Sequence, residues 1–189
     1  MCSSDLASAN AGETGLDAEY RLAQASISTG YYQSCAITSA GGLQCWGSGS
    51  GGRIGDGTEN STATPVDVVG LSSGVEAVSA GSETTCALVG GGAKCWGARV
   101  GDGVSPYGSS LVPVDVQGMT SGVRQVDVGN GFTCFVTTSS NVQCLGDNGW
   151  GQLGDGTRTS TDTVSTAVQP LTGNVSSIAS GGKIGRAHV

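Results

Sequence analysis

Six cysteines, spaced as three pairs, are the residues of this chain most able to do chemistry. The pairs are Cys35 with Cys45, Cys86 with Cys95, and Cys134 with Cys144, with partners nine or ten positions apart. Each pair brackets two short apolar or β-branched runs around a tract of Gly, Ser, Ala or Asn, the composition of a β-hairpin. Residues opposed across such a hairpin lie ~4.5 to 5.5 Å apart at Cα, within the range that a disulfide accepts.

Disulfides, buried free thiols and a metal site are three interpretations of this spacing. Zinc sites usually place two cysteines two to four residues apart and add further ligands, a pattern that the sequence lacks. The spacing therefore favours three disulfides, each stabilising its hairpin by roughly 2 to 3 kcal/mol. Disulfides persist in oxidising compartments, so we expect the protein to be extracellular or on the cell surface.

Three aspartates recur within Gly-Asp-Gly triplets, at Asp56, Asp102 and Asp155. Repeated carboxylates suggest calcium binding or acid catalysis. An aspartate between glycines is also a turn residue, whose carboxylate accepts hydrogen bonds from nearby backbone N–H groups. Because a catalytic group is needed only once, repetition favours the turn. We expect no catalytic residue, no metal site and no cofactor.

These residues belong to a unit that returns about every 50 residues. The glycines that close its first strand, Gly30, Gly81, Gly129 and Gly181, lie 51, 48 and 52 positions apart. One unit contains four strand candidates, over residues 75–80, 84–89, 93–98 and 112–116, the last limited at its start by Pro113. Four short strands per repeat predict an all-β fold of four-stranded β-propeller blades, with an open β-solenoid as the rival.

The repeat divides the chain into segments. Three complete repeats and a partial fourth are expected over residues 24–74, 75–122, 123–174 and 175–182. Residues 7–23 are expected to form a linker or the edge of a preceding blade. Residues 1–6 and 183–189 fit opposite strands of one sequencing-adapter oligonucleotide translated in frame, so both ends are excluded from fold reasoning. They contain the single histidine, His188, and the odd cysteine, Cys2.

Composition narrows the class of protein further. The chain has 189 residues, of which 34 are Gly and 12% are charged, as expected for short strands joined by many turns. No apolar run approaches the ~20 residues of a membrane-spanning helix. The formal net charge is −7, which disfavours binding to a nucleic-acid phosphate backbone.

One period as a whole is specific enough to compare with a known family. Residues 86–88, 95–97 and 113–116, with residues 148–157 of the next period, resemble the repeat of the regulator of chromosome condensation family. That family forms seven-bladed propellers, which implies that this chain is a fragment of such a ring. The paired cysteines resemble the secreted bacterial branch of the family.

The resemblance is incomplete where the family often has histidine before Ser or Thr. Those positions hold Gln33, Thr84 and Phe132. Guanine nucleotide exchange on a small GTPase, the activity of the founding member, therefore does not carry over residue by residue and stays an alternative only.

We expect a non-catalytic propeller module that binds a protein or a cell-envelope component. Its surface is expected on the loops between third and fourth strands, residues 47–63, 97–112 and 146–163, because successive blades present equivalent loops on one side. The candidate contact residues are Arg53, Glu59, Arg99, Tyr107, Trp150 and Arg158. By contrast, Trp46 and Trp96 are expected to pack between blades. The alternative from another class is a lyase or hydrolase whose site lies in blades outside this chain.

Overall fold

A computed structural model describes residues 27–103, 108–164, 168, 171 and 174–181, together with the backbone of 186–188. Short strands and turns account for this part of the chain, with one 3₁₀ turn at Ser50–Gly52. None of the described helical turns is long and apolar enough to cross a membrane. The all-β expectation is confirmed.

The strands form consecutive antiparallel meanders, which we call blades 1 to 3. Blade 1 contains β1 (Ile27–Thr29), β2 (Gln33–Ile37), β3 (Leu43–Gly47) and β4 (Thr62–Asp67). Blade 2 contains β5 (Val75–Ala80), β6 (Thr84–Val89), β7 (Gly92–Ala98) and β8 (Ser109–Asp115). Blade 3 contains β9 (Val123–Val128), β10 (Phe132–Thr137) and β11 (Val142–Gly146), and β12 (Ser177–Ala179) pairs with β13 (Arg186–His188). Within each blade, every strand pairs with its neighbour in sequence, as expected for a propeller blade.

Two details differ from the sequence prediction. The fourth strand of blade 2 begins at Ser109 instead of residue 112. Pro113 does not limit its start, because β8 is an edge strand, where a residue without a backbone N–H is tolerated. In blade 3 the described part of the expected fourth strand is reduced to one bridge between Gly146 and Thr161.

The glycine two residues after the second cysteine of each pair is required by backbone geometry. Gly47, Gly97 and Gly146 have φ values of 108°, 89° and 113°, which side-chain-bearing residues rarely adopt. A Cβ at Gly97 would also lie 2.1 Å from the carbonyl oxygen of Glu83. This glycine lets the end of the third strand approach the turn between the first two strands.

The apolar core lies between blades. Neighbouring residues of β6 point to opposite sides: Cys86 belongs to the cluster shared with blade 3, and Ala87 to the cluster shared with blade 1. Five of the six residues of β6 are therefore buried. This two-sided burial explains why the strands lack a strict alternation of apolar and polar residues.

Trp96 fills the contact between blades 1 and 2. Its side chain is fully buried, and its indole N–H donates to the backbone carbonyl of Arg53 in the preceding blade at 3.1 Å. The prediction that Trp96 packs between blades is confirmed. Trp46 is only partly buried, although blade 1 places it at the equivalent position.

All three cysteine pairs form disulfides across the second and third strands of a blade. The bridges join Cys35 to Cys45, Cys86 to Cys95, and Cys134 to Cys144, with Cα–Cα distances of 4.0, 4.1 and 4.1 Å. The paired residues are directly opposed in the strand register, as the hairpin spacing predicts. Three such bridges indicate an oxidising environment.

Hydrogen bonds between first strands also repeat from blade to blade. The Ser28 hydroxyl accepts the backbone N–H of Ala80 in the next blade at 3.0 Å. The Ser79 hydroxyl, one repeat later, accepts the N–H of Val128 at 2.9 Å. A small polar residue at this position therefore ties each first strand to the next.

At the third occurrence of this position the acceptor is a carboxylate. Asp127 accepts the backbone N–H of Ser180 and, at 3.3 Å, a hydrogen bond from the Ser79 hydroxyl. Burial raises the pKa of Asp127, while the hydrogen bonds from Ser180 and Ser79 oppose that shift. A titratable group thus stands where blades 1 and 2 use a neutral hydroxyl.

Candidate binding face

The meander brings two sets of connections to one end of every blade. In an antiparallel meander, the turn between the first and second strands and the loop between the third and fourth strands leave from the same edge. We call these connections the loop face, and define it by residues 30–32, 48–61, 81–83, 99–103, 129–131 and 147–160. The hydrogen bond from the N–H of Tyr31 to the carbonyl of Gly81 joins two of its turns across a blade boundary.

One apolar side chain anchors each long loop. Ile54, Val100 and Leu153 precede the three Gly-Asp-Gly triplets, and all three are fully buried. Each fills the space beneath its loop within a core cluster. These residues therefore anchor the long loops to the core, which fixes the backbone from which the outward-pointing side chains extend.

Two of the three Gly-Asp-Gly aspartates shape their loops, as the sequence predicts. The Asp56 carboxylate accepts the backbone N–H of Thr58 at 2.9 Å, and Asp155 accepts that of Thr157 at 2.8 Å. This backbone hydrogen bond and one from the Thr157 hydroxyl lower the pKa of Asp155. The described residues contain no group of three or more His, Cys, Asp or Glu side chains arranged to hold a metal ion.

Asn148 organises the loop of blade 3, a role that the sequence analysis missed. Its fully buried side-chain amide donates to Asp155 at 3.1 Å and to the carbonyls of Thr157 and Thr159 at 3.3 and 3.2 Å. Its oxygen accepts the N–H of Leu153 at 3.0 Å. An asparagine among glycines resembles any turn residue, so sequence alone offers little signal for this network.

Arg53 is not part of the exposed surface, which corrects the sequence prediction. The residue is only 7% exposed. Its guanidinium donates to the carbonyls of Ser50 at 2.8 Å and Ser82 at 3.1 Å, the latter in blade 2. It also lies 5.6 Å from the ring centroid of Tyr32. Arg53 therefore fastens one blade to the next.

Arg99 occupies the equivalent position in blade 2 and likewise faces the next blade. Its guanidinium lies 2.9 Å from the Asp147 carboxylate and 3.4 Å from that of Asp162. The Arg99 side chain is 20% exposed, and both carboxylates belong to blade 3. This second correction has the same cause, since an arginine before the buried apolar residue of the loop reaches the adjacent blade.

The other predicted contact residues divide into three exposed ones and one outside the described part. Glu59 and Arg158 are exposed, and the Trp150 side chain is 72% exposed. Tyr107 lies outside the described residues. The structure thus places Glu59 in the loop of blade 1 and the other two exposed residues in that of blade 3.

Two exposed tyrosines of the loop face were not predicted. Tyr31 and Tyr32 form the turn between β1 and β2 and are 61% and 68% exposed. Their rings meet edge to face with centroids 6.2 Å apart. The sequence signal was the aromatic pair itself, which has no counterpart in the equivalent turns of the other two repeats.

Residues 40–88 match the family model for the Regulator of chromosome condensation (RCC1) repeat. The matched segment runs from the hairpin of blade 1 through most of β6 in blade 2. Strand β3, the long loop of blade 1, β4 and the first strand of the next blade therefore lie within the matched segment.

Solved structures of larger proteins are similar in fold. Human WBSCR16 is 22% identical, with a TM-score of 0.71, over 82% of this chain and 42% of that one. Prp20p from Saccharomyces cerevisiae is 18% identical, with a TM-score of 0.71, over 85% of this chain and 42% of that one. The chain spans less than half the length of these proteins, and its fold is that of part of an RCC1-like β-propeller.

Proposed function

We propose that this chain, an RCC1-like β-propeller segment with an RCC1 repeat at residues 40–88, is a non-catalytic extracellular module that binds a protein or a cell-envelope component. One observation carries the proposal. The recurring residues hold blades and loops together, whereas Trp150, Glu59 and Arg158 are exposed on one face and do not recur.

The disulfides support an extracellular location. Their cysteines are at most 7% exposed. Cytosolic proteins rarely retain such bridges, because the thiol pools of the cytosol keep cysteines reduced. A propeller with one bridge in each blade fits a protein that works outside the cell.

The residue types on the loop face support binding of a macromolecule. Trp, Tyr and Arg dominate the binding energy of many protein interfaces. Trp150 stands where the loop of blade 1 has Gly51, so the scaffold itself does not require an aromatic residue there. Prp20p, which shares the fold, was studied for its binding to Gsp1p and histones, so an RCC1-like propeller is compatible with a protein-binding role.

The proposal is tested by retention of ligands on immobilised protein. The full chain and the double variant Trp150→Ala/Glu59→Ala are incubated with envelope and secreted fractions of the cells that produce the protein. Retained molecules are then compared by mass spectrometry. We expect the double variant to lose specifically retained molecules, because it removes two exposed side chains from the loop face and leaves the buried anchors untouched.

A matched control lies at the opposite end of the blades. Ser72 and Thr120 are exposed residues of the connections between consecutive blades, so Ser72→Ala/Thr120→Ala should leave retention and thermal stability unchanged. The proposal is refuted if retention survives the loop-face substitutions, or if it is lost only with the control pair.

A further inference from the structure

We propose that the loop face recognises an extended polypeptide segment rich in lysine and arginine. This inference rests on the proposed binding function and specifies the chemistry of the partner. The inference rests on exposed aromatic rings, and the negative charge around those rings favours a cationic ligand.

The exposed aromatic residues concentrate on this one face. Trp150, Tyr32 and Tyr31, at 72%, 68% and 61%, are the most exposed large hydrophobic residues of the described chain. All three belong to the loop face. Exposed side chains of this size, where the other aromatic residues of the described ranges are largely buried, indicate a contact surface.

The charge of the loop face is negative. Its described residues include six carboxylates, at Asp56, Glu59, Glu83, Asp102, Asp147 and Asp155. They include three arginines, at Arg53, Arg99 and Arg158. The carboxylates thus outnumber the cations two to one.

Arg53 and Arg99, which we call the seam arginines because each bonds to the next blade, contribute little positive charge to an approaching ligand. Arg99 forms ion pairs with Asp147 and Asp162, which offset the charge of Asp147 as well as that of the arginine, and Arg53 is nearly buried beside Tyr32. Arg158 is the one exposed arginine of the described loop face. Glu59 and Glu83 are also exposed and give the face an acidic surface.

The opposite end of the blades has a different composition. Its described connections, residues 38–42, 68–74, 90–91, 116–122 and 138–141, contain no Asp, Glu, Lys or Arg. Their composition is mainly Gly, Ser and Thr, with isolated apolar residues such as Val69. The charge and the exposed aromatic rings therefore share one end of the same blades.

Aromatic faces and carboxylates both favour cations. A lysine ammonium or arginine guanidinium over an exposed ring gains cation–π attraction, and nearby carboxylates add Coulomb attraction. Arg53 beside Tyr32 is an internal example of the ring contact. The tyrosines lie in blade 1 and Trp150 lies in blade 3, so an extended segment that crosses the loop face can contact both.

The test uses a defined cationic probe on the full chain. A fluorescein-labelled peptide of about 15 residues, which spans roughly 50 Å when extended, alternates Lys with Gly and Ser. Two matched peptides carry Gln or Glu in place of Lys. Fluorescence anisotropy should show binding of the Lys peptide at about 20 mM NaCl and weaker binding at about 200 mM, because salt screens exposed charges.

Two variants test the residues separately. Tyr31→Leu/Tyr32→Leu keeps apolar area but removes the ring faces, and should weaken binding about two- to fivefold. Glu59→Gln/Glu83→Gln should weaken it and reduce its dependence on salt. Asp67→Asn/Asp115→Asn, an equal loss of two charges at exposed positions on the outer strands of blades 1 and 2, should leave the affinity unchanged.

Equal binding of the Gln peptide, absence of Lys-peptide binding at low salt, or insensitivity to both loop-face variants would overturn this inference. These results are separable from failure of the proposed function. If retention of the natural ligand needs Trp150 and Glu59 but the Lys peptide does not bind, only the cationic partner is wrong. If the Lys peptide binds here but natural ligands are retained elsewhere, the proposed function is wrong.

Discussion

The backbone carbonyl of Arg53 accepts two side-chain hydrogen bonds where blades 1 and 2 meet. Thr85 Oγ1 donates at 3.0 Å and Trp96 Nε1 at 3.1 Å, and both donors are fully buried. A carbonyl oxygen has two lone pairs, so losing either donor leaves it with one partner. We therefore predict that Thr85→Val and Trp96→Phe destabilise the fold by more than the sum of their separate effects.

The magnitudes follow from the contacts. Thr85→Val keeps the shape of the side chain and removes one hydrogen bond, at a cost of about 1 kcal/mol. Gln33, which also reaches Thr85, keeps the carbonyl of Gly81 as an acceptor at 3.1 Å. Trp96→Phe removes the second bond and opens space in the core, at a cost of about 2 to 3 kcal/mol. The double variant deprives the buried carbonyl of both donors, which adds about 1 to 3 kcal/mol.

The assay is urea unfolding followed by far-UV circular dichroism, since replacing a tryptophan alters the fluorescence signal. A double-mutant cycle then gives the coupling free energy between the two sites. Thr133 occupies the position of Thr85 in blade 3, so Thr133→Val with Trp96→Phe is a matched control that should be additive. If the Thr85 cycle is additive within about 0.5 kcal/mol, the shared carbonyl does not couple the two donors.

Two further predictions concern a disulfide and Asp127. Replacing Cys86 and Cys95 together by alanine should lower the free energy of unfolding by about 2.5 kcal/mol or more, because their bridge closes a loop with a sequence separation of 9; a loss below about 1 kcal/mol in urea would contradict this. Because burial raises the pKa of Asp127, the unfolded chain releases that proton first, so stability should fall as pH rises from about 4 to the folded-state pKa. Asp127→Asn should remove this part of the fall in urea titrations at successive pH values, and an unchanged pH profile would refute it.

Local patterns were sufficient to predict the strands, hairpins and disulfides. Cys86 and Cys95 are close in sequence, and the apolar runs around them determine which residues oppose each other across the hairpin. The turn role of Asp56 was equally predictable, because its hydrogen-bond partner Thr58 lies two residues away. These features form from interactions within one repeat, so the repeat itself contains the information for them.

A recurrence in the sequence could have indicated the role of the two seam arginines. Arg53 and Arg99 both precede a buried apolar residue and a Gly-Asp-Gly triplet, and blade 3 has Gln152 at that position. The recurrence of these arginines indicates a structural role, as the recurrence of the aspartates does. Their residue type, which is common at interfaces, suggested a binding role instead.

The sequence by itself determined the period, the strand order within a blade and the cysteine pairing. Tertiary structure alone decided which loop side chains face solvent. Arg53 bonds to Ser82, 29 positions later, and Arg99 reaches Asp162, 63 positions later. A long cationic side chain in a glycine-rich loop can extend into water or toward a neighbouring blade. The choice depends on the acceptors that the neighbouring blade supplies, because a guanidinium leaves water only where hydrogen bonds or carboxylates replace its hydration.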